Sequence, residues 1–443
     1  MFKTKKFYVA ICSAFVLFLV ACGGEIDPSP NAGVAPTVPD EDVIAAGGTV
    51  TVWTWDPNFN IAAMLEAERI YQQINPNFVL DVQEVPWDDI QTRLVTIGMA
   101  GALGELPDIV LIQDNAFQKN VIDFPDMFID ITNSGVDFDL FASGKVSYSV
   151  VNGHNFGVPF DNGVTIMALR TDILEQAGLS MSDFEGITWE RFIELGAIVL
   201  EQTGIPMVSD NTLEPDILSA MIKSAGVGYF QPDGSPYIVD NAVLQEAIEV
   251  ILAMDSANIF FWINNWDEYI SSIVHGQVAS VINGAWIMAS IQQAQDQHGN
   301  WGITAMPRLS NAPGATHYGV AGGSSWAIMN NGNDPSLAID FLNHTFAGSV
   351  ELYENILHST GALATFLPAA DSEVYREPHP FFGGQAVFAD ITRFAAGVPD
   401  FSPGVFYYEA RQAIGFAMQR IIGGMPTDQA LQEAEAELLF HMN

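Results

Sequence analysis

The chain reads as an α/β protein whose first domain is doubly wound. Three observations predict this. A β-α-β-α-β succession occupies residues 49–112, and its third strand, Ile109-Val110-Leu111-Ile112, is the continuous apolar run of a buried parallel strand. At 443 residues the chain is too long for one ordinary core and suggests two domains or three. With 49% hydrophobic residues it has ample apolar surface to bury, which excludes a disordered chain despite its acidity.

Taken in order, Thr49-Val50-Thr51-Val52-Trp53 has strand composition. Residues 61–74 place Met64, Leu65, Ile70 and Ile74 at helical spacing, and Asn75-Pro76 stops that helix. Residues 78–85 form a second strand, and Asp88 or Asp89 is expected to cap a helix running to Ala102. A sheet built this way opens its ligand crevice at the carboxyl ends of its strands. Helices are then expected over 172–177, 189–202, 242–256, 267–275, 335–346, 410–422 and 427–439, with strands over 278–282, 301–305 and 325–329. Residues 229–237 read as a hairpin turning at Pro232-Asp233-Gly234. There is no internal repeat.

The amino terminus carries a different pattern. Lys3, Lys5 and Lys6 precede an apolar run over 7–20, followed by Leu19-Val20-Ala21-Cys22. The run is shorter than the roughly 18–20 residues a bilayer demands, which favours an export signal (1–21) over a membrane helix. Leu-Val-Ala-Cys resembles a bacterial lipobox, which implies a lipidated Cys22 anchoring the mature chain outside the cell membrane. The alternative is a plain secretory signal with Cys22 incidental. Residues 22–48, rich in Gly, Pro, Ala and Asp, read as a tether reaching roughly 25–30 Å. If Cys12 leaves with the signal and Cys22 is lipidated, no thiol remains for catalysis or metal ligation.

The charge is lopsided: 53 acidic against 15 basic side chains, a net of −38. Phosphate partners demand clustered Lys and Arg, so nucleic acid and anionic membrane surfaces are excluded as partners, the lipid anchor apart. The excess reads as a surface adapted to a saline or alkaline medium, and it favours a monomer. Beyond the signal the only lysines are Lys119, Lys145 and Lys223.

Several segments fall in an order that resembles the extracellular solute-binding proteins of carbohydrate ABC importers, the maltose-binding-protein-like family. They are Val52-Trp53-Thr54-Trp55-Asp56, Gly104-Glu105-Leu106-Pro107-Asp108-Ile109-Val110, Val158-Pro159-Phe160-Asp161-Asn162-Gly163, Asp172-Ile173-Leu174-Glu175-Gln176-Ala177-Gly178-Leu179, Ile282-Asn283-Gly284-Ala285-Trp286 and Gly322-Gly323-Ser324-Ser325-Trp326-Ala327-Ile328. The resemblance implies a two-lobed periplasmic-binding-protein-like fold with a central ligand cleft and hinge. It assigns 49–161 and 319–361 to one lobe and 162–318 and 362–443 to the other, crossing near 161–163, Tyr318 and Gly361. It also implies a sugar or oligosaccharide as ligand, hinge closure as the motion and ABC permease subunits as partners, with no enzymatic step and no cofactor.

A sugar offers hydroxyl edges and apolar C–H faces, so its site wants carboxylates, amides and aromatic rings. Trp55 and Asp56 follow the first strand, and Asp114 and Asn115 follow the third, where ligand loops belong. Asp161 and Asn162 lie at the expected crossing, with Gly163 beside them. Trp286 follows Asn283-Gly284 at a place resembling the family's stacking tryptophan. Gly322 and Gly323 either let backbone N–H groups approach a ligand or form a bulge. Tyr407 and Tyr408 match the region of another stacking tryptophan, replaced here by tyrosine. Glu214 and Asp216 resemble polar contacts of the second lobe, and Trp262 and Trp266 either join them or pack. Each position also has a structural alternative: packing for the tryptophans, turns or helix caps for the polar groups.

A secreted carbohydrate-active hydrolase is the alternative function, and an adhesion protein a third. With so many acids a glycosidase-like pair can be drawn anywhere, so pairing carries no information. The chain has no His-Glu-x-x-His, no Gly-x-Ser-x-Gly elbow and no P-loop. The calcium-loop likeness of residues 56–67 fails at Ile61 and Ala67, where Gly and Glu are required.

Overall fold

A computed structural model describes residues 47–442 apart from Thr212, Glu214 and Ser402. The signal, Cys22 and nearly all of the tether lie outside the described residues.

Strands β1 (Gly48–Thr54), β2 (Phe78–Glu84) and β3 (Ile109–Gln113) are parallel, with β1 in the middle. Helices α1 (Asn60–Tyr71) and α2 (Trp87–Ala100) make the crossovers. Gly101, with φ 64°, ends α2 in the left-handed conformation that glycine adopts most readily. No side chain caps α2. Pro86 precedes its first residue, so the expected caps Asp88 and Asp89 lie inside the first turn, where their charge meets the positive end of the helix dipole. Helix α3 (Asp114–Asp123) follows β3 directly.

Strand β4 (Gly157–Arg170) organises the rest. Beyond it come β5 (Val208–Asn211), β6 (Phe260–Ile263), β7 (Ser280–Gly284), β8 (Trp301–Thr304) and β9 (Val320–Ile328). The first half of β4 pairs antiparallel with β9, which also pairs antiparallel with β3. The second half of β4 pairs antiparallel with β7 and β8. Strands β5 and β6 form a separate parallel pair. The β4–β9 register slips between Ser324 and Ser325, opposite Pro159, which has no N–H to give the ladder.

The core divides along β4. Val158 and Phe160 pack with Val52, Ile109, Leu111 and Trp326, while Met167 and Leu169 pack with Phe192, Ile248 and Ile414. A further cluster of Ile166, Ile273, Trp301 and Phe388 lies on the second side, and one of Trp53, Val110, Ile112 and Phe117 on the first. The fold is thus α/β with two lobes. Residues near 362 divide as well: Ala362 and Phe366 pack with the first core, Leu363 with Phe388 and its neighbours.

Candidate functional site

The carboxyl ends of β1, β2 and β3 carry Trp55, Trp87 and Asp114. Asp114 is buried and accepts an ion pair from Lys145 Nζ, which also donates to the Ser324 carbonyl at 2.8 Å. Ser325 Oγ donates to Asp114 Oδ1 at 3.1 Å. Beside them Asp161, on β4 opposite Ser324, accepts from the Ser324 hydroxyl. Burial pushes the Asp114 carboxyl up to about 6 although Lys145 opposes it. Burial raises Asp161 also.

Glycine makes this floor possible. Gly323 has φ +111°, and a Cβ there would collide with Asp114 Oδ2. A Cβ on Gly163 would fall 2.5 Å from the Gly322 carbonyl, so β4 and β9 cross too closely for any side chain. The β4–β9 register shifts between Val320 and Gly323, so Gly322 and Gly323 form a bulge.

Two aromatic groups flank the floor. At one end the Trp55 and Trp87 centroids are 5.3 Å apart, and Trp87 and Tyr408 are 6.2 Å apart. The Tyr408 hydroxyl donates to Gln113 Oε1, at the end of β3. At the other end Trp286 lies 5.7 Å from Trp266, and Trp266 5.4 Å from Tyr269. Trp286 Nε1 donates to the Ala321 carbonyl at 2.8 Å, which fixes the half-buried indole beside Gly322.

A polar strip joins the two ends along the second lobe. Asp216 opens helix α4 (Asp216–Lys223) and accepts from Arg411 at 2.8 Å and from Asn283 Nδ2 at 3.3 Å. Asn283 also donates to Tyr269 Oη at 3.1 Å, and Tyr269 sits on helix α5 (Trp266–Val274). Behind the strip the buried Asp210 carboxylate accepts the Ile217 and Asn211 amides. Burial, reinforced by Asp216, pushes Asp210 up to about 8.

The remaining expected residues scatter. Asp56 is half-buried and accepts the Asn58 amide at 2.8 Å; burial raises its pKa. Asn115 is half-buried in the first turn of α3, and the half-buried Asn162 pairs with Gly323 across the ladder. Tyr407 and Tyr408 part company at the start of the helix Tyr407–Ile422. Tyr407 is buried, its hydroxyl 2.9 Å from Ser219 Oγ and 3.0 Å from Lys223 Nζ, whereas Tyr408 meets Gln113 and Trp87. Burial works against ionisation of Tyr407, yet the Lys223 and Arg411 cations hold it below the ordinary phenol range. Trp262 donates to Asp255 and packs on Phe260, away from Trp286 and its neighbours, while Trp266 joins them. Glu214 lies outside the described residues.

Sequence reasoning missed Trp87, Gln113, Lys145, Tyr269, Arg411 and Asp210, and named Asn283 only as part of the resembling segment before Trp286. Signals existed for some. Trp87 stands after β2 as Trp55 stands after β1, and Arg411 lies one helical turn beyond Tyr408. The arrangement offers acceptors, donors and ring faces, and among the described residues no three His, Cys, Asp or Glu side chains are placed to hold a metal.

Comparison with known proteins bears on this geometry. A family model for bacterial extracellular solute-binding proteins matches residues 66–381. A lactose-binding protein of Rhizobium radiobacter is 37% identical over 391 residues, 88% of this chain and 92% of the relative. An arabinooligosaccharide-binding protein of Halalkalibacterium halodurans is 22% identical, over 70% of this chain and 69% of its own. Among solved structures, the ABC transporter associated binding protein from B. animalis subsp. lactis in complex with β-1,6-galactobiose superposes with TM-score 0.76 at 18% identity, covering 89% of this chain and 97% of its own. The galacto-N-biose-/lacto-N-biose I-binding protein of Bifidobacterium longum gives 0.72 at 17% identity, with the same coverages. These neighbours share the two-lobed fold, and with the family model and the lactose-binding relative they place the chain among the bacterial extracellular solute-binding proteins.

Proposed function

We propose that this protein is the sugar-binding component of an ABC importer, taking a neutral saccharide of at least two rings between its lobes and releasing it unchanged to the permease. The observation that carries the reading is the pair of aromatic groups, Trp55–Trp87–Tyr408 and Trp266–Trp286–Tyr269, at the two ends of one polar strip. Each group offers a face for one sugar ring, and Asp114, Asp161, Asp216 and Arg411 offer partners for hydroxyls between them. An anionic sugar is disfavoured by the number of carboxylates there. The lactose-binding relative makes lactose the first saccharide to test.

In this reading Trp286, Tyr408, Asp114, Asp161 and Asp216 touch ligand, with Trp55, Asp56, Asn115, Asn162, Gly322 and Gly323 around them; Tyr407 supports the site from behind. The lobes divide at β4, β9 and the 361–366 segment, which serve as hinge. A lipidated Cys22 holds the monomeric receptor at the outer face of the membrane. The secreted-hydrolase alternative fits less well, since Asp114 and its neighbour Asp161 are both buried and held by Lys145, Ser324 and Ser325, and the similar proteins are sugar-binding proteins.

Titration of intrinsic tryptophan fluorescence with lactose, other neutral oligosaccharides and a uronate tests the reading. A saturating change with a neutral saccharide that is recovered intact is expected. Trp286→Ala should then weaken binding by more than about 1 kcal/mol. Cleavage of the sugar, or a Trp286→Ala variant that binds like wild type, overturns the corresponding part.

A further inference from the structure

We infer that Lys119 is a positioning residue for closure, a clasp at the mouth of the cleft that sets affinity without touching the ligand. Lys119 projects from α3, whose Ala116, Phe117 and Val121 pack in the first lobe. Its ammonium lies 3.5 Å from Glu409 Oε1 and 4.6 Å from the centre of the Phe406 ring. Both partners flank Tyr407, whose ring is buried with Ile414 and Met418 in the core of the other lobe. The clasp is therefore a contact between separately packed bodies, and it lies beside the Tyr408–Gln113 bond that spans the same gap.

Composition makes the placement telling. Beyond the signal the chain has three lysines, and two, Lys145 and Lys223, are buried beneath the walls of the site. The third stands at the lip. An ammonium between a carboxylate and an aromatic face is attracted by both, and each attraction weakens when the lobes part. Lys119 is also held at 2.8 Å by Asp123 of its own helix, one turn on, which aims it at the gap before closure and lowers the entropy lost on closing. The pair is only partly buried, so salt screens it.

Such a clasp biases the open–closed equilibrium of the empty receptor. Affinity for every saccharide scales with the fraction of closed-competent molecules, so loss of the clasp lowers all affinities by one factor and leaves their ratios alone. A residue that touched the sugar would change the ratios.

The test uses the full chain and the variants Lys119→Met and Lys119→Arg. Small-angle X-ray scattering without ligand should show a larger radius of gyration for Lys119→Met than for wild type in dilute salt. Raising the salt to about 0.5 M should expand wild type and leave Lys119→Met unchanged, and Lys119→Arg should behave as wild type. With lactose and a second oligosaccharide, Lys119→Met should bind each about threefold to tenfold more weakly, by a common factor. Identical scattering of wild type and Lys119→Met at low salt overturns the inference, as does a factor that differs between the saccharides. The affinity arm rests on the saccharide-receptor reading and the scattering arm does not. Failure of wild type to bind any saccharide therefore strikes that reading alone.

Discussion

Asp114 and Lys145 show how much one buried pair can determine. The carboxylate lies at the end of the most apolar strand of the first lobe, 5% exposed, and its pKa is already lifted to about 6 with the ammonium beside it. Remove the ammonium and the charge stands without its counter-ion in a largely desolvated place. Lys145→Met should cost about 3–5 kcal/mol at pH 8, the range for breaking one side of a buried pair. The loss should shrink at pH 5, because there Asp114 is largely protonated and Lys145 has less charge to meet. Urea unfolding at the two pH values checks this; an equal loss at both would show that Lys145 acts by packing alone. The same pair explains why the site was half-legible in the sequence. Asp114 announces itself by following an apolar strand, but its cation comes from 31 positions downstream. Nothing local in Ser143-Gly144-Lys145-Val146 announces a partner. Arg411, which reaches Asp216 across 195 positions, was hidden for the same reason.

Among the elements, β4 is the one whose role exceeds its sequence signal. Strands β1 and β3 and the helix Ala242–Ser256 are legible because one period or one apolar run is satisfied by one environment. Strand β4 serves two lobes, and it carries Pro159, Asp161, Asn162 and Gly163 in its interior, residues that ordinarily end strands. Local chemistry therefore reads a turn where the structure has an unbroken passage between cores. The parallel pair β5 and β6 escaped notice for a related reason. Ser209, Asp210 and Asn211 are polar, and burial of Asp210 is enforced by the tertiary fold rather than by composition. The Pro232-Asp233-Gly234 hairpin, by contrast, depends on neighbours only and appears as expected, closed by the Gln231 amide on the Ser235 carbonyl. If the passage of β4 past β9 depends on backbone approach at Gly163, then Gly163→Ala should destabilise the protein by about 1–3 kcal/mol, the usual cost of forcing volume into a packed place. A calorimetric melting temperature equal to wild type would show that β9 can shift to make room.

For the whole molecule the deciding quantity is charge, and it predicts an uncommon pH profile. Burial raises Asp114 to about 6 and Asp210 to about 8, and raises Asp56 and Asp161 as well, from an ordinary value of 3.8. In the unfolded chain each such group gives up its proton near that ordinary value. Between there and its raised value the folded state binds the extra proton, so stability falls as pH rises, by about 1.4 kcal/mol per pH unit for each group still titrating. His379 has the opposite sign. Burial, with His358 alongside, pushes it from 6.5 to about 4, so the unfolded state takes up its proton first and stability falls as pH drops through that window. The two effects oppose each other around and below 6.5, and the contribution of His379 fades until about pH 7.5, where it is neutral in both states. From pH 6.5 to 8 Asp210 sets the slope together with His344, which the hydrogen bond to Asp340 holds above 6.5 and which loses its extra folded-state proton in the same direction. The chain's formal charge of −38 adds self-repulsion of the same sign. The urea midpoint should therefore decline from pH 6.5 to pH 8, where most proteins are level. In Asp210→Asn the amide oxygen can still accept the Ile217 N–H, position 210 releases no proton on unfolding, and the decline should flatten to the part that His344 and repulsion supply. Added salt should then shrink that remainder by the part due to repulsion, because salt screens repulsion and leaves a buried titration in place. A wild-type midpoint that climbs over this range, or an Asp210→Asn variant that declines as steeply, would mean that Asp210 is already ionised in the folded protein.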